Sequence, residues 1–156
     1  MKTYRALAAV FAVLALCSVL YIFFNGMQNS VKSNERSDNV AEVVKPVVDS
    51  NNKIEEDKFS VYVRKYAHAV EYFEFGIFSG LAVIFLYLSD KKTLFLLPVC
   101  LMSLFSVADE YIQGFVGRTS SVKDIVIDIA GGAVGYIAAL AVLLIIKIAN
   151  QKAKKG

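Results

Sequence analysis

Cysteine is scarce in this chain of 156 residues: there are two, Cys17 and Cys100, and both sit inside apolar stretches. A disulfide framework is therefore excluded, and no C-x-x-C spacing suggests a structural zinc site. Charge is sparse too. Asp, Glu, Lys and Arg make up 20% of residues against 56% apolar, with a mean hydropathy of +0.53, which excludes an ordinary water-soluble enzyme. The net charge of +3 is small, and the basic residues flank apolar stretches instead of forming a stripe interleaved with exposed aromatics. Nucleic acid is not expected as a partner.

What remains is a set of apolar windows separated by short charged clusters. The first, Ala6 to Phe24, holds Ser18 as its one clearly polar side chain, and about 20 apolar residues cross the hydrocarbon core as a helix. Phe23-Phe24-Asn25-Gly26 offers no small-x-small cleavage site, so the window reads as an uncleaved anchor helix over residues 1–24. Leu16 before Cys17 is too large for a lipoprotein box. Residues 25–63 are rich in Asn, Ser, Lys, Glu and Asp and read as a mobile, disordered polar loop with no assigned chemistry. Three further spans are expected: Tyr66 to Leu88, Leu94 to about Ile112 with a local bend at Pro98, and about Ile125 to Ile146. Tyr4, Tyr21, Tyr66, Tyr87 and Tyr111 fall near their ends, as amphipathic rings at headgroup depth should. The expected fold is all-α: an integral membrane bundle of four transmembrane helices, a polar loop after the first, a three-helix domain over residues 64–149 and a basic tail over residues 150–156.

Four spans put both termini on one side with Lys91 and Lys92. That side carries Lys2, Arg5, Lys91, Lys92, Lys147, Lys152, Lys154 and Lys155, all within a few residues of helix ends. Basic residues on the other side are more dilute, so both termini are assigned to the cytoplasm of a multi-pass cell membrane protein. The loop and the polar ends of the last three spans are then extracytoplasmic.

The intruding polar residues all fall at one end of spans two, three and four. Span two opens with Arg64, Lys65, His68, Glu71 and Glu74, span three closes with Asp109, Glu110 and Gln113, the next loop adds Arg118, and span four opens with Lys123, Asp124 and Asp128. Ionisable groups at such depth are costly and normally face the bundle interior, a partner or water. At 100° per residue Arg64, His68 and Glu71 lie within about 60° of one another, and so do Asp124, Asp128, Gly131 and Gly135. The acids of span four thus continue into a small-x-x-x-small seam, matched on span two by Gly76 and Gly80, where helices approach closely. Such a rim of opposite charges can equally be a salt-bridge network that only holds helix ends together.

The string Arg64-Lys65-Tyr66-Ala67-His68-Ala69-Val70-Glu71-Tyr72, then Ala108-Asp109-Glu110 with Gln113, then Gly117-Arg118 followed by Asp124, Asp128 and Gly131, resembles the VanZ-like family of small bacterial membrane proteins. Val116 and Ile112 stand where that family usually has proline and histidine. The resemblance implies a bacterial cytoplasmic membrane protein of the cell envelope, its namesake being associated with low-level teicoplanin resistance. Three functions stay open. In the first, Arg64, Lys65, Glu110, Gln113, Arg118 and Asp128 bind an anionic lipid or lipid-linked cell-wall precursor and so modulate glycopeptide susceptibility, with Arg118 suited to bidentate phosphate contact. In the second, a membrane-embedded enzyme transfers phosphoryl or acyl groups on lipid head groups, with His68, Glu71, Asp109 and Asp124 catalytic. In the third, the protein is a non-catalytic partner that packs through Gly76, Gly80, Gly131 and Gly135. A divalent cation on Asp109, Glu110, Asp124 and Asp128 is chemically reasonable, since hard cations take several carboxylates.

Overall fold

A run of apolar residues in hydrocarbon can satisfy its peptide groups only within itself, and the first window accordingly forms one uninterrupted helix, α1 (Lys2–Gly26). The computed structural model describes residues 1–91 and 94–153, and among these every regular element is helical: α1 is followed by α2 (Ser30–Val48), α3 (Glu56–Asp90), α4 (Leu97–Phe115) and α5 (Val122–Ala153). Lys92, Lys154 and Lys155, which entered the charge comparison, and the last three residues of the expected tail lie outside the described residues; residues 150–153 continue α5.

Pairs of contacts at opposite ends fix how the helices run. Arg5 at the start of α1 donates to Asp90 at the end of α3 over 2.8 Å, whereas Asn25 at the end of α1 donates to Glu71 over 2.7 Å. These two helices are antiparallel. Lys65 pairs with Asp124 near the starts of α3 and α5, and Lys147 lies 5.1 Å from the Tyr87 ring near their far ends, so α5 runs parallel to α3. Just before α4, Phe95 packs on Tyr87 with ring centroids 5.5 Å apart, and α4 ends beside His68. Four helices therefore traverse the bundle, and the ends of α3, α4 and α5 that carry polar residues meet at one end of it.

Glycine makes the α3–α5 contact possible. A Cβ at Gly76 would strike the Gly132 carbonyl, one at Gly131 the Ala69 carbonyl and one at Gly135 the Phe73 carbonyl, while Gly80 abuts Ala139 and Tyr136. Both seams are thus consumed inside the bundle, which leaves neither for an outside helix. Around them Ala15, Val19 and Ile22 of α1, Tyr72 and Phe75 of α3, Met102 of α4 and Tyr136 of α5 form the core. Phe105 fills the gap edge-on to both Phe23 and Phe75, at 5.9 and 5.7 Å between centroids.

Two expectations need correction. The polar segment expected as a mobile loop is helical over Ser30–Val48: Asn29 caps it by accepting from the Lys32 N–H at 3.0 Å, and Ser37, Ala41 and Lys45 are buried on one face against α3. That face is made of small and polar residues, so no apolar period announced it. Pro46 removes one donor inside the last turn of the helix, which closes at Asp49. Asp49 then accepts from the backbone N–H groups of Ile54 and Lys53, which hold its carboxyl below the usual carboxylate range and fold the turn into α3. Second, α4 begins at Leu97, so Pro98 sits in its first turn, where a missing N–H costs nothing, and no bend is needed. Among the described residues, three helices are long and apolar enough to cross a membrane, namely α1, α3 and α5 over Val122–Ile145. α4 is not among them, because its 19 residues include Asp109, Glu110 and Gln113.

Since the α3–α5 seam admits no side chain, Gly135→Leu is expected to lower the unfolding midpoint of detergent-solubilised protein, overpacking alone costing about 1–3 kcal/mol. Val134→Leu, at a neighbouring site that is 58% exposed, should leave it unchanged. Thermal melts followed by circular dichroism compare the two.

Candidate functional site

The first turns of the apolar part of α3, the last turns of α4 and the first turns of α5 bring three ionisable side chains together under the rim. His68 Nδ1 stands 3.8 Å from Asp109 Oδ2 and 3.9 Å from Asp128 Oδ1. Both carboxylates are without exposed surface, and the imidazole side chain is 12% exposed. Each acid is held by a neutral donor: Gln113 Nε2 donates to Asp109 Oδ2 over 2.7 Å, and Ser106 Oγ donates to Asp128 Oδ2 over 2.9 Å. One turn separates Asp109 from Gln113, so the helix itself presents the donor to the acid. Among the described residues His68 Nδ1, Asp109 Oδ1, Asp128 Oδ1 and the Tyr72 hydroxyl have no hydrogen-bond partner. His68, Asp109 and Asp128 each offer one ligand atom, all within 4.8 Å of one another, a grouping suited to a metal ion.

Above this buried trio lies a basic rim. The α4–α5 connection turns at Gly117, whose φ of +77° favours glycine, and returns Arg118 over the site, where its Nη2 lies 3.4 Å from His68 Nε2. A guanidinium only donates, so Nε2 is the acceptor in this arrangement and the neutral ring carries its proton on Nδ1. Burial, and next the charge of Arg64, draw the Arg118 guanidinium below its ordinary value. α2 closes the rim: Ser30 donates to the Gly117 carbonyl over 2.8 Å, and Arg64 donates to Asn34 Oδ1 over 2.8 Å. The partly open cavity measures about 210 Å³ and is lined chiefly by Arg64, Lys65, His68, Arg118, Thr119 and Asp124. A second cavity of about 270 Å³ shares Arg64, His68 and Arg118 and adds Arg36 and Glu71.

The site residues expected from sequence are thus divided between tasks. Arg64, Lys65, His68, Gln113 and Arg118 line the first cavity, with Asp109 and Asp128 directly beneath His68. Asp124 also reaches the cavity, but it is paired with Lys65. Glu71 turns toward α1 and accepts from Asn25. Glu110 accepts from the Ser121 N–H over 2.6 Å, and Ser120 donates to the Glu110 carbonyl, which pins the start of α5. The expected cation ligands Glu110 and Asp124 are therefore engaged elsewhere, and His68 joins Asp109 and Asp128 in their place. Ser106, Tyr72, Asn25, Ser30, Asn34 and Arg36 escape sequence reasoning. Only Ser30 and Asn34 leave a trace, in the three- and four-residue recurrence of small residues Ser30, Asn34, Ser37 and Ala41 along α2.

No curated protein and no solved structure matches the chain at a significant level. The VanZ/LLP1 family model, in contrast, matches residues 11–146, a stretch that includes the core, the buried trio and the whole rim. With its apolar helices and this match, the chain is a membrane protein and belongs to the VanZ/LLP1 family.

Proposed function

We propose that the rim cavity binds the phosphate of an anionic lipid or lipid-linked cell-wall precursor, and that the protein acts in the bacterial envelope through that binding, in the direction of altered glycopeptide susceptibility. One observation carries this reading. Arg64 and Arg118 both line the cavity, yet among the described residues neither forms an ion pair with a carboxylate: their partners are the neutral Asn34 and His68. Two guanidiniums that repel each other at the edge of an apolar bundle favour a shared anion, and a phosphate matches the guanidinium fork. Arg36, which among the described residues donates only to the amide oxygens of Asn25 and Gln28, adds a third such cation beside the second cavity.

Headgroup depth supports the same reading. The outer face of α4 exposes Leu104, Val107, Tyr111 and Phe115, a stripe fit for lipid, so α4 serves as the fourth crossing despite its acids. With four crossings both termini share one side, and the basic residues packed close to the helix ends there favour the cytoplasm for the termini and the extracytoplasmic leaflet for the cavity. The reading as a mere packing partner lacks a free glycine seam. A second reading, phosphoryl or acyl transfer on the bound head group, is favoured by His68 alone, whose Nε2 side lines the cavity while two carboxylates stand behind Nδ1.

Native mass spectrometry of protein released from phosphatidylglycerol nanodiscs tests the binding. Wild type should retain anionic lipid. Arg118→Ala and Arg64→Ala should each weaken retention by about tenfold or more, since a hydrogen bond to a charged group contributes about 1.5–3 kcal/mol. An unchanged lipid profile in the double variant would contradict the reading. Sidedness is checked by a cysteine placed at Ser50 in a background lacking Cys17 and Cys100. A membrane-impermeant maleimide should label it in intact cells, and labelling only after lysis would reverse the orientation.

A further inference from the structure

Two carboxylates without exposed surface, at the depth where apolar helices pack, are expensive unless a positive charge or enough donors compensate them. Asp109 and Asp128 each receive one neutral donor, from Gln113 and Ser106, and no Lys or Arg side chain lies within ion-pair distance of either among the described residues. The gap between the ligand atoms has a definite size. At 3.8 and 3.9 Å, His68 Nδ1 is too far from Asp109 Oδ2 and Asp128 Oδ1 for hydrogen bonds. For an ion bound at about 2.2 Å those same separations correspond to angles near 120° at the ion, somewhat wider than tetrahedral, so the three ligands would draw in slightly around it. Two further orphaned atoms beside them, Asp109 Oδ1 and the Tyr72 hydroxyl, belong to side chains with no exposed surface. Ser106 and Gln113 hold the acids from behind as outer partners hold metal ligands elsewhere.

We propose that His68 Nδ1, Asp109 and Asp128 bind one divalent cation of the Zn²⁺ or Mn²⁺ class, and that its binding releases Arg118 into the rim cavity. An imidazole nitrogen with two carboxylates selects such ions over Ca²⁺ or Mg²⁺, which prefer oxygen alone. Two carboxylates balance the ion's two charges, so the centre becomes neutral overall. The link to Arg118 follows from the ring. An ion on Nδ1 requires the imidazole proton on Nε2, and Nε2–H cannot accept from the guanidinium. Arg118 must then leave His68, and the cavity beside it is where an anion would be met. This second part rests on the phosphate-binding reading, whereas the cation site stands without it.

The test uses the full chain in detergent micelles and the metals alone. Equilibrium dialysis with Mn²⁺ and Zn²⁺, read by elemental analysis and, for Mn²⁺, by electron paramagnetic resonance, should give one ion per chain. Asp109→Asn and Asp128→Asn should remove it. Should either fail to fold, Ser106→Ala keeps every ligand while freeing the back of Asp128, and should lower affinity by about tenfold or more. Glu42→Gln with Asp57→Asn, in the exposed acidic groove between α2 and α3, should retain the ion. Full-affinity binding in Asp128→Asn, loss of binding in the groove variant, or no bound ion in wild type would each overturn the site. Glycerol 3-phosphate then serves as a soluble anion probe. Mn²⁺ should tighten its binding to wild type, and Arg118→Ala should lose the phosphate but keep the metal. Metal binding without any phosphate binding refutes the cavity reading and leaves the cation site intact; phosphate binding indifferent to metal refutes the coupling.

Discussion

The burial of Asp109 and Asp128 against a single histidine is the constraint on which the polar end of this bundle depends. Neither acid has exposed surface, and both stand under 4 Å from His68 Nδ1. Holding them there takes three helices at fixed spacing and a supply of donors from inside the bundle. The glycines of α3 and α5 set the spacing, because backbone rests on backbone at Gly76, Gly131 and Gly135. Ser106 and Gln113 supply the donors. Packing and chemistry are thus one problem: whatever separates α3 from α5 also separates His68 from Asp128.

The rim follows from the trio. Arg118 reaches His68 only because Gly117 adopts a left-handed turn and because Glu110 and Ser120 tie the end of α4 to the start of α5. α2 then holds that turn through Ser30 and holds Arg64 through Asn34. Acids at the base and guanidiniums above them create a layered field across a short distance. Cations are favoured below His68 and anions above it, with the imidazole between the two.

Much of this was legible in the sequence, and the reasons differ by element. The apolar windows announce α1, α3 and α5 because length and lack of charge are enough to specify a spanning helix. Phase arguments place Asp128, Gly131 and Gly135 on one face of α5, and that face meets α3. They also pair Asp109 with Gln113 one turn apart, and both are buried. Phase misleads for Glu71, since sharing a stripe with His68 does not say which neighbouring helix that stripe meets; Asn25 of α1 claims it. α2 was hidden because it buries Ser37, Ala41 and Lys45, residues that read as solvated. Ser106 and Tyr72 were hidden for the opposite reason, since inside a span a serine or a tyrosine looks like any other packed residue until its partners are known.

The chain has one histidine, which makes a direct measurement possible. Protein labelled with ¹⁵N-histidine and held in lipid bilayers gives imidazole resonances that can come only from His68. If that ring lies between Asp109 and Asp128, its Nδ1 shift must move in both Asp109→Asn and Asp128→Asn, and must stay in place when Glu56, at the distant start of α3, becomes Gln. A shift equal to that of a solvated histidine, unmoved by either aspartate substitution, would contradict the convergence on which the site is built.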